Sequence, residues 1–332
     1  MAMHHTARPT VLTVNLNTAI DRVIEVENFT VGSHLLGRQL RRHPAGKGVN
    51  ISLALASMGR DNVATGFVGR GEFDDFERFL SATEPGRVLC QLLSVAGRTR
   101  ENVTIVDPVA RTDTHVRERG FEVKEADIRR MRSKLGLMAA GQAVIVFAGS
   151  LPPGMEAADL RMLIAVAGER GAKVALDIGG EVLRQTLGEP AEDQTQRLWL
   201  LKPNEAELAQ WAGVERFDSE DDLRAAATRL KDRCDMLVVT RGPAGAWLLD
   251  DRRLYRGRLE LDEAQVLNTV GCGDCLLAGL IDAQVRGFDP SAMLRQGLAW
   301  AAANALREDL ARLDADVVAS LTENVEIETT PY

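Results

Sequence analysis

The run Ala143-Val-Ile-Val-Phe-Ala148, the turn Gly149-Ser150-Leu-Pro-Pro-Gly154, the segment 157–170 and the run Val174-Ala-Leu-Asp177 together decide the fold class. They read in order as strand, loop, helix and strand. An apolar run without polar alternation suits a strand buried on both faces, and such strands belong to parallel sheets covered by helices on each side. The same alternation recurs along the chain. Residues 11–16, 198–201, 237–240 and 247–249 are further candidate strands, and 50–58, 205–212 and 219–233 further candidate helices. The fold expected is a doubly wound, mostly parallel α/β sheet.

Two regions depart from this pattern. Residues 22–26 and 36–43, then 99–106 and 114–119, alternate polar with apolar side chains, which predicts half-exposed antiparallel strands. Gathered together, the segments from about 22–43 and 99–119 would form a small β-sheet lid on a single domain spanning 1–332. In 99–106, Arg100, Asn102 and Thr104 share one face, while Glu101, Val103 and Ile105 share the other. The last dozen residues, with Glu323, Glu326 and Glu328, read as a loosely held tail.

Composition narrows the function. With 45% apolar and 27% charged residues among 332, the chain is an ordinary globular one. No apolar run approaches the roughly 20 residues of a membrane helix, and the start lacks a signal-peptide core, so a cytoplasmic protein is expected. His4 and His5 read as part of an extension rather than a metal site. The net charge of −8 and the lack of a basic block argue against a nucleic-acid partner. Any anion must then be held by a few local cations and backbone N–H groups. Of Cys90, Cys234, Cys272 and Cys275, the last two form a CxxC. No second pair exists to complete a zinc site, so they read as small residues in a glycine turn.

In open α/β sheets, ligands bind past the carboxyl ends of the strands. Asp177, Lys202-Pro-Asn204 and Thr240-Arg-Gly242 all fall there. Four motifs carry chemistry. In Asn268-Thr-Val-Gly271-Cys272-Gly273-Asp274, two glycines flank a small residue before an apolar helix. Such a turn can aim N–H groups at an anion, with Asp274 as a proton acceptor; it can equally be a plain turn with Asp274 as the cap. Pro44-Ala-Gly46-Lys47-Gly48-Val-Asn50 is no P-loop, which needs a Gly at position 41 and a Ser or Thr at 48 and finds Arg41 and Gly48. It is either a ligand-facing glycine turn or a simple one with a solvated lysine. Lys202-Pro-Asn204-Glu205-Ala-Glu207 sets Asn204 and Glu207 on one helical face, suited to a hydrated Mg²⁺ or to a cap. Gly97-Arg-Thr-Arg100-Glu-Asn102 offers a guanidinium to a phosphate or to solvent.

Taken in order with Asn15-Leu-Asn17-Thr-Ala-Ile-Asp21, Phe147-Ala-Gly149-Ser150-Leu-Pro-Pro-Gly154 and the run from Val238 to Trp247, these motifs span about nine-tenths of the chain. The chain resembles the PfkB (ribokinase-like) family of carbohydrate kinases, nearest its 1-phosphofructokinase and tagatose-6-phosphate kinase branch. The resemblance implies Asp274 as catalytic base, with Gly271, Cys272 and Gly273 as the anion hole. It implies Asp21, Gly46, Lys47 and Asn50 on the sugar hydroxyls, and Arg100, Asn102 and Ser150 towards the acceptor's phosphate. Lys202, Asn204, Thr240, Gly242 and Gly245 would meet ATP, while Asn204 and Glu207 would hold Mg²⁺ through water. A homodimer formed through the lid is also implied.

Relatives usually carry Ala at Cys272, Pro at Thr18 and serines after Asp177, where this chain has Ile178. Thr18 is expected to loosen its turn, and Ile178 to remove polar contacts near the nucleotide. The activity expected is ATP-dependent conversion of fructose 1-phosphate to fructose 1,6-bisphosphate. Alternatives are kinases for tagatose 6-phosphate or fructose 6-phosphate, then a neutral-sugar kinase, then a non-catalytic sugar-phosphate sensor. Arg100 argues against a neutral acceptor, and Lys47, where 6-phosphofructokinases of the family tend to have Gly, against fructose 6-phosphate.

Overall fold

The structure, a computed structural model, describes residues 11–83, 86–188 and 197–331; His4 and His5 lie outside them. The chain opens with β1 (Val11–Asn15), β2 (Ala19–Glu25), β3 (Arg38–Ala45), α1 (Lys47–Ser57), β4 (Asn62–Gly69), α2 (Phe73–Thr83) and β5 (Val88–Val95). Next come β6 (Arg100–Asp107), β7 (Thr112–Arg117), α3 (Glu125–Met138), β8 (Val144–Ala148), α4 (Ala157–Gly168), β9 (Lys173–Asp177), α5 (Gly180–Leu187) and β10 (Leu198–Leu201). The remainder is α6 (Glu205–Ala212), α7 (Glu220–Lys231), β11 (Cys234–Thr240), β12 (Ala246–Leu249), β13 (Arg253–Arg258), α8 (Cys272–Arg286), α9 (Pro290–Ala305), α10 (Ala315–Glu323) and β14 (Glu326–Pro331).

The large sheet runs β14-β13-β12-β11-β10-β9-β8-β1-β4-β5. Pairing is parallel from β11 to β5 and antiparallel from β11 through β14. The strand with no polar alternation, β8, is buried on both faces as its sequence requires. Val144, Val146 and Ala148 enter one apolar cluster, and Ile145 and Phe147 the other. The first cluster lies under α1, α8 and α9, the second under α3, α4, α6 and α7. In α4 the residues Leu160, Leu163, Ile164 and Ala167 form the buried stripe, which is the helical spacing read from the sequence. Strand order reverses at β1, between β8 and β4, so the crevice past its end is where such sheets bind ligands.

The small sheet runs β3-β2-β6-β7. The lid is present, but it is not wholly antiparallel, because β2 and β6 pair in parallel from Ala19↔Arg100 to Glu25↔Val106. Alternation reports which side chains are exposed and says nothing about strand direction, so this pairing had to come from the fold. The C-terminal segment also corrects its reading. Glu323 ends α10, and Glu326 and Glu328 lie in β14, which pairs with β13 along its whole length. Backbone pairing at the sheet edge holds a segment whose side chains are mostly exposed. No helix among the described residues is long and apolar enough to cross a membrane.

Candidate active site

Helix α8 starts at the crevice. Its N-cap is Gly271, with φ 75° and no side chain to offer its first N–H groups, which therefore lack an intrahelical partner. The left-handed backbone at Gly271 favours glycine, and a Cβ there would also press on the end of the Leu310 side chain. Asp274 is not the cap. It sits in the first turn, buried, with Oδ2 accepting from Asn50 Nδ2 at 2.7 Å. Burial and then repulsion from Asp177 push its carboxyl up to about 6, against the pull of Lys47, the Asn50 amide and Lys202. A carboxylate tuned close to neutrality beside an N–H cluster suits taking a proton from a hydroxyl while the N–H groups hold an anion.

Asp177, at the end of β9 and fully buried, organises the cations. Lys47 Nζ lies 2.9 Å from its Oδ1, and Lys202 Nζ lies 3.3 Å from its Oδ2. Burial alone would raise Asp177, but Lys202 and Lys47 hold it below the ordinary carboxylate range. Burial would lower Lys47, yet Asp177, Glu207 and Asp274 lift it above the usual lysine range. Lys202, itself buried, lies beside the anion turn, since a Cβ on Gly273 would be 3.3 Å from its Nζ. The site therefore sets two ammonium groups between Asp177 and the turn at α8.

On the lid side, Gly46 caps α1 and its carbonyl accepts from Asn50 N, which holds in the helix the backbone of the residue that meets Asp274. Asp21 Oδ1 accepts from Asn102 Nδ2 at 2.8 Å. Arg100 donates to the Asn17 carbonyl, and Asn17 Nδ2 donates to Ser150 Oγ at 3.1 Å. Asp21, Asn102, Arg100 and Ser150 thus form one linked wall, while Asn50 meets Asp274 and Lys47 meets Asp177. Thr18 does not loosen its turn. Its hydroxyl is buried and donates to Phe67 O at 2.8 Å, tying β1's exit to β4. Ile178 packs in the second apolar cluster, so this departure serves the core.

On the other side, Asn204 and Glu207 cap α6 reciprocally. Glu207 N donates to Asn204 Oδ1 at 2.7 Å, and Asn204 N donates to Glu207 Oε2 at 2.9 Å. Glu207 Oε1 remains 3.8 Å from Lys47 Nζ, close over Gly179. Thr240 N donates to Pro203 O, and the turn Gly242–Gly245 closes with Arg241 N donating to Gly245 O. Among the described residues no three His, Cys, Asp or Glu side chains converge to cage a metal. Asp177 is taken by two lysines and half of Glu207 by the cap. That donor set fits Mg²⁺ arriving with phosphates and met through water, not a protein cage.

The CxxC pair is packed rather than poised. Burial lifts the Cys275 thiol well above its ordinary range. Cys272 donates to Asn268 O and accepts from Asn304 Nδ2; burial raises its thiol, Asn304 opposes this and Asp274 adds to it. Two residues went unread in the sequence. Asn304, fully buried, ties Val270 O and Ala311 N to the anion turn. Asp177 was marked only as lying past a strand, and its two lysines are far away in sequence.

Comparison with known proteins bears on the family and the fold. A family profile described as pfkB family carbohydrate kinase matches residues 13–314. The 1-phosphofructokinase of Vibrio cholerae is 31% identical over 318 residues, covering 96% of each chain. The tagatose-6-phosphate kinase of Staphylococcus epidermidis is 23% identical, covering 96% of this chain and 99% of that one. The crystal structure of Escherichia coli phosphofructokinase-2 in complex with potassium superimposes with a TM-score of 0.85 at 22% identity, over 94% of this chain and 98% of that one. With a profile matched over residues 13–314 and a relative 31% identical along 96% of its length, this chain belongs to the pfkB family of carbohydrate kinases.

Proposed function

We propose that the protein is an Mg·ATP-dependent kinase acting on the free primary hydroxyl of a ketohexose monophosphate. Fructose 1-phosphate is the acceptor expected to be used best, giving fructose 1,6-bisphosphate. The observation that carries the reading is Asp274, buried, bonded to Asn50 and set in the first turn of α8 beside uncapped N–H groups. Asp274 accepts the proton of the attacking hydroxyl as the new O–P bond forms, and the Gly271–Gly273 amides and Lys202 stabilise the charge on the transferring phosphoryl group. Asp21, Asn102 and Asn50 orient the sugar, and Arg100 receives its existing phosphate. Glu207 and Asn204 would hold Mg²⁺ through water, and the ion would supply neutralisation of phosphate charge. Tagatose 6-phosphate and fructose 6-phosphate are the next acceptors to test. A sensor without catalysis would have little use for an intact base and anion turn.

The pH dependence follows from Asp274. Its carboxylate is the active form, so kcat/KM for ADP release with fructose 1-phosphate is expected to be level above about pH 7 and to fall about tenfold per unit below about 6. A sugar phosphate also titrates near 6, so the control is Asn50→Ala. Losing the hydrogen bond that favours the charged form should move the acid limb to higher pH, whereas a limb belonging to the ligand would stay put.

The same reading includes a homodimer. The lid's edge strands β3 and β7 are unpaired outward, and Leu36, Leu40, Val109 and Val116 are exposed on or beside it. Exposed apolar side chains on an open sheet favour a second sheet. Analytical ultracentrifugation should give a dimer for the native chain and a monomer for Leu40→Asp/Val116→Asp; a monomeric native chain would contradict this.

A further inference from the structure

Outside the Asp274 centre, a cavity of about 750 Å³ opens between the end of β7, the loop after β8 and the starts of α4 and α5. Neither Asp274, Lys47 nor Asn50 lines it, and it meets the sugar wall through Asn17 and Arg100. Arg119, from the segment after β7, and Arg161, on α4, also line it. Its floor is apolar, with Pro152 and Met155 buried. Two carboxylates also stand on its walls, Glu118 and Glu156; Glu118 is engaged by the Glu101 N–H.

Three observations point to an anion bearing a hydroxyl. Asn17 is 3% exposed, and its Oδ1 has no partner within the structure, nor has the buried Nε of Arg100. Two residues of the cavity lining thus carry a buried acceptor and a buried donor that the fold leaves unmatched. Burial, then the like charge of Arg117, lowers the hold of Arg100 on its proton, with Asp21 opposing them. Finally, among the described residues, the cavity's Arg100, Arg119 and Arg161 make no ion pair with a carboxylate, Arg161 donating instead to the Gln185 carbonyl, in a chain of net charge −8 that pairs many of its other arginines. Three such cations against the two carboxylates on the same concave surface favour an anion there.

We infer that Arg119 and Arg161 are specificity-determining residues for the acceptor: with Arg100 they line a cavity that takes its phosphate. This rests on the sugar-phosphate reading above and extends it to two residues that no motif contains. The site is shaped for a phosphate at the end of the molecule away from the reacting hydroxyl, and it disfavours uncharged sugars.

The test is steady-state kinetics of Arg119→Gln, Arg161→Gln and the double variant, with fructose 1-phosphate, fructose 6-phosphate, tagatose 6-phosphate and fructose as acceptors. For whichever sugar phosphate the native enzyme uses, each single variant should raise KM about tenfold and the double about 100-fold, the scale of lost charge-assisted contacts. kcat should stay within about threefold and KM for ATP should not move, a split that a general structural defect would not produce. Inorganic phosphate should inhibit the native enzyme competitively against the sugar phosphate, and the double variant more weakly. Lysine at both positions should restore part of the loss. A native enzyme active on a sugar phosphate whose double variant keeps KM within twofold overturns this inference alone. A native enzyme active only on fructose overturns the sugar-phosphate reading, and this inference with it.

Discussion

Asp274→Ala is expected to lower kcat by about 10²–10⁴-fold, the usual worth of a positioned general base, with KM for both substrates changed only a few-fold. The isosteric Asp274→Asn should be as inactive and yet more stable than the native protein. The sign follows from the raised carboxyl. Because folding lifts Asp274 from near 4 up to about 6, the folded state binds its proton more tightly than the unfolded state does. Holding it ionised near neutrality therefore costs stability. Asparagine removes that buried, repelled charge and can still accept from Asn50. The midpoint of thermal unfolding should rise by about 2–5 °C at pH 8, and the gain should shrink as pH falls through about 6 towards 4. Unchanged turnover in Asp274→Ala would remove the base from the mechanism; an equal gain at every pH would remove the charge from the stability argument.

The second large effect belongs to Asp177. Replacing it with asparagine leaves the ammonium groups of Lys47 and Lys202 without their shared partner, Lys202 being almost completely buried. Breaking a buried ion pair on one side costs about 3–5 kcal/mol, which urea unfolding at pH 7 would register as a clear drop in midpoint. Here the sign is opposite to that of Asp274. The folded Asp177 is held below the ordinary carboxylate range, so its contribution is fully present above the unfolded value near 4 and is lost only as pH falls through the lower folded one. The deficit of Asp177→Asn should therefore be constant from pH 8 to 5. Adding Lys202→Met should recover part of it, because the stranded charge is then gone. A deficit under 1 kcal/mol would mean the lysines find other partners.

Much of this was legible in residues and some was not. The continuous apolar runs gave β1, β8, β9 and β10 to within a residue at either end, because burial on both faces leaves no other pattern. β4 escaped notice since Asn62, Thr65, Gly66 and Gly69 interrupt it, although all eight residues are buried. Asn62 Nδ2 and the Thr65 hydroxyl donate there to the carbonyls of Ser52 and Gln91. β13 and β14 escape the apolar reading because this antiparallel pair, ending in the edge strand β14, is held by backbone pairing and tolerates Arg, Glu and Thr. The glycine turns and Asp274 could be marked as candidates from local sequence. Whether Asp274 capped its helix or faced the site depended on Asn50, 224 residues away, and the ion cluster on lysines from two other elements. Arg119 and Arg161 carry no local signal, since an arginine at a cavity and one in solvent look alike in a sequence.

The central claim is phosphoryl transfer to a sugar phosphate with Asp274 as base. Its most direct test is a coupled ADP-release assay with Mg·ATP against fructose 1-phosphate, tagatose 6-phosphate, fructose 6-phosphate, fructose and ribose, run on the native protein and on Asp274→Ala. The account predicts turnover on at least one sugar phosphate, fructose 1-phosphate foremost, with little on fructose or ribose and the signal lost in the variant. Turnover confined to the neutral sugars, or an Asp274→Ala protein as active as the native one, would contradict it.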